Sequence, residues 1–129
     1  MKNPPSVEAM VKTGEEMINY VKDKDPETLN SASLNYNNSR ELVLNTNGVS
    51  GHRERDALSM SLYSQITKDN DMLGIYDGLT INSPELNYME LSDRILDLLK
   101  HSKAIFQVNS KSMPVIFTPK GFNSILIPI

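Results

Sequence analysis

The sequence predicts an α+β fold, an antiparallel sheet of three to five strands packed by two main helices. Three observations carry that prediction. Apolar residues recur at steps of three, four and seven over residues 7–21 and again over 88–99, the spacing of one helix face. Between these stretches, Leu58, Met60, Leu62, Ser64 and Ile66 alternate with Ser59, Ser61, Tyr63 and Gln65, the period of a half-buried strand. Asn47-Gly48 follows the apolar run Leu42-Val43-Leu44, and Asn-Gly is the strongest short-range turn signal because both residues tolerate positive φ.

The elements follow in order. Pro4 and Pro5 block a helix before Ser6, and Ser6 is a good N-cap. Val7, Met10, Val11, Met17, Ile18 and Val21 form the first helical stripe. Gly14 falls on that stripe, where it lets a neighbour approach closely. The helix is expected to end in Lys22-Asp23-Lys24-Asp25, because the residue before Pro26 is pushed out of the α region. Ala32, Leu34 and Tyr36 alternate with Ser and Asn and read as a strand. Glu41 to Leu44 continues it into the turn Asn45-Thr46-Asn47-Gly48. His52-Arg53-Glu54-Arg55-Asp56 is expected to be a solvated hairpin loop before the strand at Leu58–Ile66. Lys68 to Asp71 is a polar turn. Met72 to Thr80 returns as a further strand, interrupted by Gly74 and Gly78.

Ser83-Pro84 predicts the start of the second helix, with Asn87 as an alternative start. Tyr88, Leu91, Ile95, Leu98 and Leu99 are its stripe, and Asp93 and Asp97 face out. Lys100, His101 and Lys103 sit at its end, where positive charge suits the dipole. Pro114 to Phe117 is expected to be a short strand. Thr118-Pro119 is expected to open a last helix with Phe122, Ile125, Leu126 and Ile129 on its apolar face. That stripe still runs at Ile129, so the chain is expected to be one domain, 1–129, cut from a longer protein.

Composition excludes several functions. The chain has 129 residues, a formal net charge of −3 and no cysteine. A dedicated nucleic-acid binder would show a basic excess. The absence of cysteine removes disulfides, thiolate zinc sites and cysteine nucleophiles, and fits a reducing compartment. No apolar run approaches the roughly 20 residues that span a bilayer, and residues 1–10 lack the apolar core of a secretory signal.

No catalytic constellation stands out. His52 and His101 have no second His at ligand spacing and read as solvated, one in a loop and one at a helix end. A hydrolase built on His52 and a nearby Ser has nothing further to support it. Lys111-Ser112 alone is no serine–lysine dyad. Neither GxGxxG nor GxxxxGK occurs, which argues against nucleotide binding. Asp69, Asn70 and Asp71 lack the Gly and terminal Glu of a calcium loop and read as a turn. Met10, Met17 and Met60 lie on core stripes, so the seven methionines read as packing and not as a binding groove. An open sheet edge, by contrast, could take an extended peptide as an extra strand.

The order of these parts resembles the central part of the TldD/PmbA family, the modulators of DNA gyrase. An apolar strand runs into Asn45-Thr46-Asn47-Gly48, similar to the family's Asn-Ser-x-Gly turn with Thr in place of Ser. Met113-Pro114-Val115-Ile116-Phe117-Thr118-Pro119 resembles its Pro-Val-x-x-x-Pro strand before a short apolar helix. The resemblance covers residues 15–129 and contains no catalytic motif. It implies a cytoplasmic peptidase, or the partner of one, working in paired assemblies on small or unfolded peptides. TldD-like members hold zinc on a His-Glu-x-x-x-His helix downstream of the last strand, and PmbA-like members lack it. No residue here matches a zinc ligand, so this chain carries no cofactor, catalytic or metal residue by resemblance, although zinc fits the whole protein. Asn45, Thr46 and Gly48 have a structural part, making a turn. The implied partners are a peptide and a paired subunit, with homo-oligomers compatible and neither nucleic acid nor membrane. The alternative expectation is a complete small interaction module, of phage or mobile-element type, binding through a sheet edge.

Overall fold

The structure, a computed structural model, describes residues 4–104, 107, 109–119 and 121–122. Its elements are helix α1 (Val7–Lys24), strands β1 (Leu29–Leu44), β2 (Ser50–Lys68) and β3 (Asp71–Ile81), and helix α2 (Met89–Ser102). The strands form one antiparallel sheet in the order β1-β2-β3. The fold is therefore α+β as the sequence predicts, with three strands.

Helix α1 starts where its cap dictates: the Ala9 N–H donates to Ser6 Oγ at 3.1 Å. It ends at Asp25, and the Lys22 ammonium closes the exit by donating to the carbonyls of Pro26 (2.6 Å) and Thr28 (2.8 Å). Both helices lie on one sheet face. Met17 and Val21 from α1, Met60, Leu62 and Ile66 from β2, and Leu91, Ile95 and Leu99 from α2 form the buried core. Gly14 brings α1 against β1, since a Cβ there would stand 3.3 Å from Leu34 Cδ1 and 3.8 Å from Ala32 Cβ. Tyr20 donates to Asp93 at 2.7 Å and Lys103 pairs with Asp25 at 2.6 Å, tying α1 and its exit to α2.

Polar groups fix the register at the base of the sheet. Buried Thr28 donates to the Asp25 carbonyl and accepts from the Asn30 amide, whose oxygen accepts from buried Ser64 at 2.6 Å. On the other side, buried Asp77 accepts from Arg94 Nε at 2.8 Å and from the Gly78 N–H at 2.7 Å. A register slip would leave these buried groups without the partners they now meet.

Several expectations change. Residues 52–56 are strand, not loop, and His52 lies opposite Leu42. The reason is cross-strand pairing: Arg40 faces Glu54 and Glu41 faces Arg53, so these charges support the ladder. The turn at residues 45–48 is not built on two positive-φ residues, because only Gly48 has one (φ +82°). Gly74 and Gly78 do not interrupt β3, which runs unbroken in register with β2. Helix α2 begins at Met89 and not at Ser83. Ser83 Oγ instead accepts from the Glu85 N–H, and the Asn87 side chain accepts from the Met89 N–H, both at 3.3 Å. Residues 114–117 are not a strand: their side chains are exposed, and among the described residues no strand pairs with them. Thr118 does make a capped turn, accepting from Gly121 at its hydroxyl (3.1 Å) and from Phe122 at its carbonyl (2.8 Å). Ile125, Leu126 and Ile129 lie outside the described residues.

Candidate functional site

Because side chains alternate across a sheet, burying one face under two helices decides what the other face displays. The register puts Ser31, Ser33 and Asn35 of β1 beside Ser59, Ser61 and Tyr63 of β2, and those beside Gly74, Tyr76, Gly78 and Thr80 of β3. These side chains are exposed or half-buried. None is charged, in a chain of which 22% is Asp, Glu, Lys or Arg. The face holds a depression of about 440 Å³ whose lining includes Ser33, Asn35, Ser59, Ser61, Tyr76 and Thr80.

Its relief follows from the glycines. The Tyr63 ring lies across Gly74, where a Cβ would fall 2.6 Å from the phenol oxygen. Tyr76 leans toward Gly78, whose Cβ would stand 3.3 Å from that hydroxyl and 3.2 Å from the Met60 carbonyl. Two aromatic rings therefore rest on backbone, beside hydroxyls and amides that both donate and accept. Ser59 and Thr80 share a hydrogen bond of 2.9 Å, and Tyr63 donates to Gln65 at 3.2 Å. Such a surface suits a neutral, hydrogen-bonding chain. It lacks the cations that hold phosphate.

The second feature is an arm. β3 ends where Ile81 pairs with Leu58, so residues 37–57 of β1 and β2 continue as a two-stranded ribbon. At about 3.3 Å per residue, the ribbon reaches roughly 25 Å beyond the three-stranded part. One side of it is laced together. Asn38 Nδ2 donates to Glu54 Oε1 and Asp56 Oδ1, each at 2.9 Å, and Arg40 Nε donates to Glu54 at 3.1 Å. The Asn38 amide, then Arg40, hold the Glu54 carboxyl below the usual carboxylate range.

The tip contains Asn45, Thr46 and Gly48, the three residues of the motif. The Gly48 N–H donates to the Asn45 carbonyl at 3.3 Å, and the Asn45 N–H donates to Val49 at 3.0 Å. Asn45 Oδ1 accepts from the Asn47 and Val49 N–H groups, both at 3.0 Å. This is a three-residue hairpin loop with Gly48 in the left-handed position. Around it four apolar side chains face solvent: Leu42 (68% exposed), Val43 (60%), Leu44 (63%) and Val49 (53%).

No metal centre is assembled from the histidines. His52 stands on the arm, and His101 at the end of α2 has Nδ1 2.7 Å from the Asp97 carbonyl oxygen. Among the described residues, no group of three or more His, Cys, Asp or Glu is placed to hold a metal ion. No helix among the described residues is long and apolar enough to cross a membrane.

Sequence reasoning located the turn residues but passed over the open face and the Asp77–Arg94 pair. Ser59, Ser61, Tyr63 and Gln65 were legible as the outward phase of one strand. That they meet Ser33, Asn35, Tyr76 and Thr80 needed the register. Comparison with known proteins gives one finding. A family model described as the PmbA/TldA metallopeptidase central domain matches residues 2–104. The match starts earlier than the resemblance by motif and leaves out Met113–Pro119. No curated protein and no solved structure matches.

Proposed function

The chain belongs to the PmbA/TldD metallopeptidase family by its central domain, and from that premise we propose that it serves such a peptidase, or its metal-free partner subunit, as a non-catalytic part. In this reading it is one domain of a longer protein. Its open sheet face lines the cleft that takes small or unfolded peptides, and its arm makes a subunit contact. The residues supply orientation: hydroxyls and amides hydrogen-bond to peptide backbone, and the tyrosine rings pack against side chains. The chemistry of hydrolysis belongs to residues outside this domain.

The observation that carries the proposal is the uncharged, glycine-floored face with its depression between Ser33, Ser61 and Tyr76. A solvated sheet face ordinarily carries charge, and this one is free of it over three strands. The test uses a fluorescently labelled, reduced and carboxymethylated α-lactalbumin as the unfolded polypeptide. Saturable binding is expected, without cleavage and insensitive to a chelator. Ser61→Arg should weaken it about tenfold with only a small change of melting temperature, since Ser61 is half-buried and faces the open side of the sheet. Binding that is absent, or equal in Ser61→Arg, overturns the proposal.

A second reading, a module that binds a partner through a sheet edge, has a specific observation in its favour: the whole outer edge of β1 is unpaired by any described strand.

A further inference from the structure

We infer that the open face takes proline-rich segments, seated across the strands as a polyproline II helix. The inference rests on the peptide reading of this face and names the class of peptide.

The register carries it. On the open side the three strands line up in rows. Ser31, Tyr63 and Tyr76 form one row, Ser33, Ser61 and Gly78 the next, and Asn35, Ser59 and Thr80 the third. The middle row has two serines and, at Gly78, no side chain at all. It is therefore a trough, walled by two phenol rings on one side and by Asn35, Ser59 and Thr80 on the other. The depression of about 440 Å³ lies here. Tyr76, 67% exposed, leans over the Gly78 end, its hydroxyl oxygen 3.3 Å from where a Cβ would stand. The trough runs across the strands and not along them.

That direction decides what can bind. The backbone groups beneath the trough belong to the β1–β2 and β2–β3 ladders. A chain lying across them gains no strand pairing and meets only side chains. Some of these are already committed: Ser59 and Thr80 share a hydrogen bond of 2.9 Å, and Tyr63 donates to Gln65. The hydroxyls of Ser33, Ser61 and Tyr76 and the Asn35 amide make no hydrogen bond among the described residues. They are donors in want of acceptors, set around an uncharged floor.

A polyproline II helix fits each of these terms. It has no internal hydrogen bonds and needs no ladder. Proline brings a carbonyl that accepts and no N–H to be left unpaired. Its ring packs on aromatic faces, the general mode of aromatic-lined grooves that take such segments. The segment is uncharged, like the three rows. Length agrees as well. Two strand spacings make the trough about 10 Å long, and one turn of three residues advances about 9.3 Å. One turn therefore spans β1 to β3, with carbonyls over Ser33 and Ser61 and a ring against Tyr76. A shallow face gains most from a segment that is ordered before it binds, because less entropy is lost on binding.

The experiment uses the chain 1–129 and two fluorescent probes with blocked ends, a decaproline and a Gly-Ser decamer, read by anisotropy. Decaproline should bind saturably and at least about tenfold more tightly than the Gly-Ser probe. Tyr76→Ala, which removes the ring, should weaken it about tenfold, and Ser33→Arg, which fills the trough from β1, by as much. Both positions are exposed, so the melting curves should stay close to the parent's. Lys12→Ala, on the outer side of α1, should change nothing. Unfolded α-lactalbumin that binds while decaproline does no better than the Gly-Ser probe overturns this inference alone and leaves the peptide reading standing. Absence of binding by all three overturns both. Decaproline bound equally by Tyr76→Ala and Ser33→Arg overturns the inference too. So does cellohexaose bound in preference to decaproline, or a dimer through this face that Ser33→Arg dissolves.

Discussion

Replacing Gly14 by Ala should stabilise the protein, and replacing it by Val should do the opposite. Gly14 is buried near the middle of α1. Glycine in a helix interior is about 1 kcal/mol less favourable than alanine, chiefly through backbone entropy. A methyl buried there contributes up to about 0.8 kcal/mol more. Against this stands the contact with β1. The new Cβ would lie 3.3 Å from Leu34 Cδ1, which is tight, and 3.8 Å from Ala32 Cβ, which is ordinary. Leu34 is half-buried and the crowded atom is the end of its side chain, so a small rotation relieves it without moving backbone. The entropy gain wins, and Gly14→Ala should gain about 1 kcal/mol, near 4 °C in Tm for a chain of this size. Valine adds two more atoms toward the same neighbours and stiffens χ1, so overpacking by about 1–3 kcal/mol takes over. Thermal and urea unfolding of the three proteins measures this directly. If Gly14→Ala lowers Tm as much as Gly14→Val does, the α1–β1 approach is rigid at Leu34 and the reasoning is wrong.

Three further outcomes follow from other contacts. Leu62→Ala, in the centre of β2 and fully buried, should cost about 2–5 kcal/mol with an unchanged urea m-value. Gly74→Ala should destabilise by about 1–3 kcal/mol by displacing the Tyr63 ring; in a Tyr63→Ser background the same change should cost less, a coupling that a double-mutant cycle reads out. The Glu54 carboxyl is held low in the folded arm, first by Asn38 and then by Arg40. Its contribution is therefore full above the ordinary carboxylate pKa and lost as pH falls through the lowered value. Amide exchange of residues 38–56 should be level from neutral pH down to about 5, corrected for the intrinsic rate, and rise below that. Glu54→Gln should flatten the acid limb.

How much was legible depends on whether an element has a buried face. Helix α1 was readable from Ser6 to Asp25 because its cap, its stripe and the Pro26 stop agree. The strand at Leu58–Ile66 was readable because the core imposes alternation on it. The arm was not, for the same reason in reverse. Residues 38–56 have no core side, so hydrophobicity there carries no period of two. Mixed charges then look like a loop, although Arg40, Glu41, Arg53 and Glu54 are cross-strand partners. The start of α2 was misplaced because Ser83-Pro84 is a sound local signal. Leu86 and Tyr88, which pack against the core, hold the chain in an irregular path up to Met89, whose N–H donates to the Asn87 side chain. Pro114–Phe117 has strand-like composition but no partner strand among the described residues, and composition cannot supply one.

The same dependence explains why the open face and the arm had to be found in three dimensions. β1 passes through two environments along its length. From Leu29 to Tyr36 its even side chains pack beneath α1 while its odd ones, Ser31, Ser33 and Asn35, build the open face. From Asn37 onward neither side is covered, and the chain becomes first charged and then apolar. A strand that needed only to complete the core could have stopped at Tyr36, opposite Leu58. The eight residues beyond it, and those of β2 that return beside them, bury little within the monomer and expose three consecutive apolar side chains at the tip. Ordering them carries a conformational cost of about 1–2 kcal/mol per residue, which ladder hydrogen bonds and exposed ion pairs offset only in part. What holds the ribbon within the chain is its ladder and the Asn38–Arg40–Glu54–Asp56 lacing on one side.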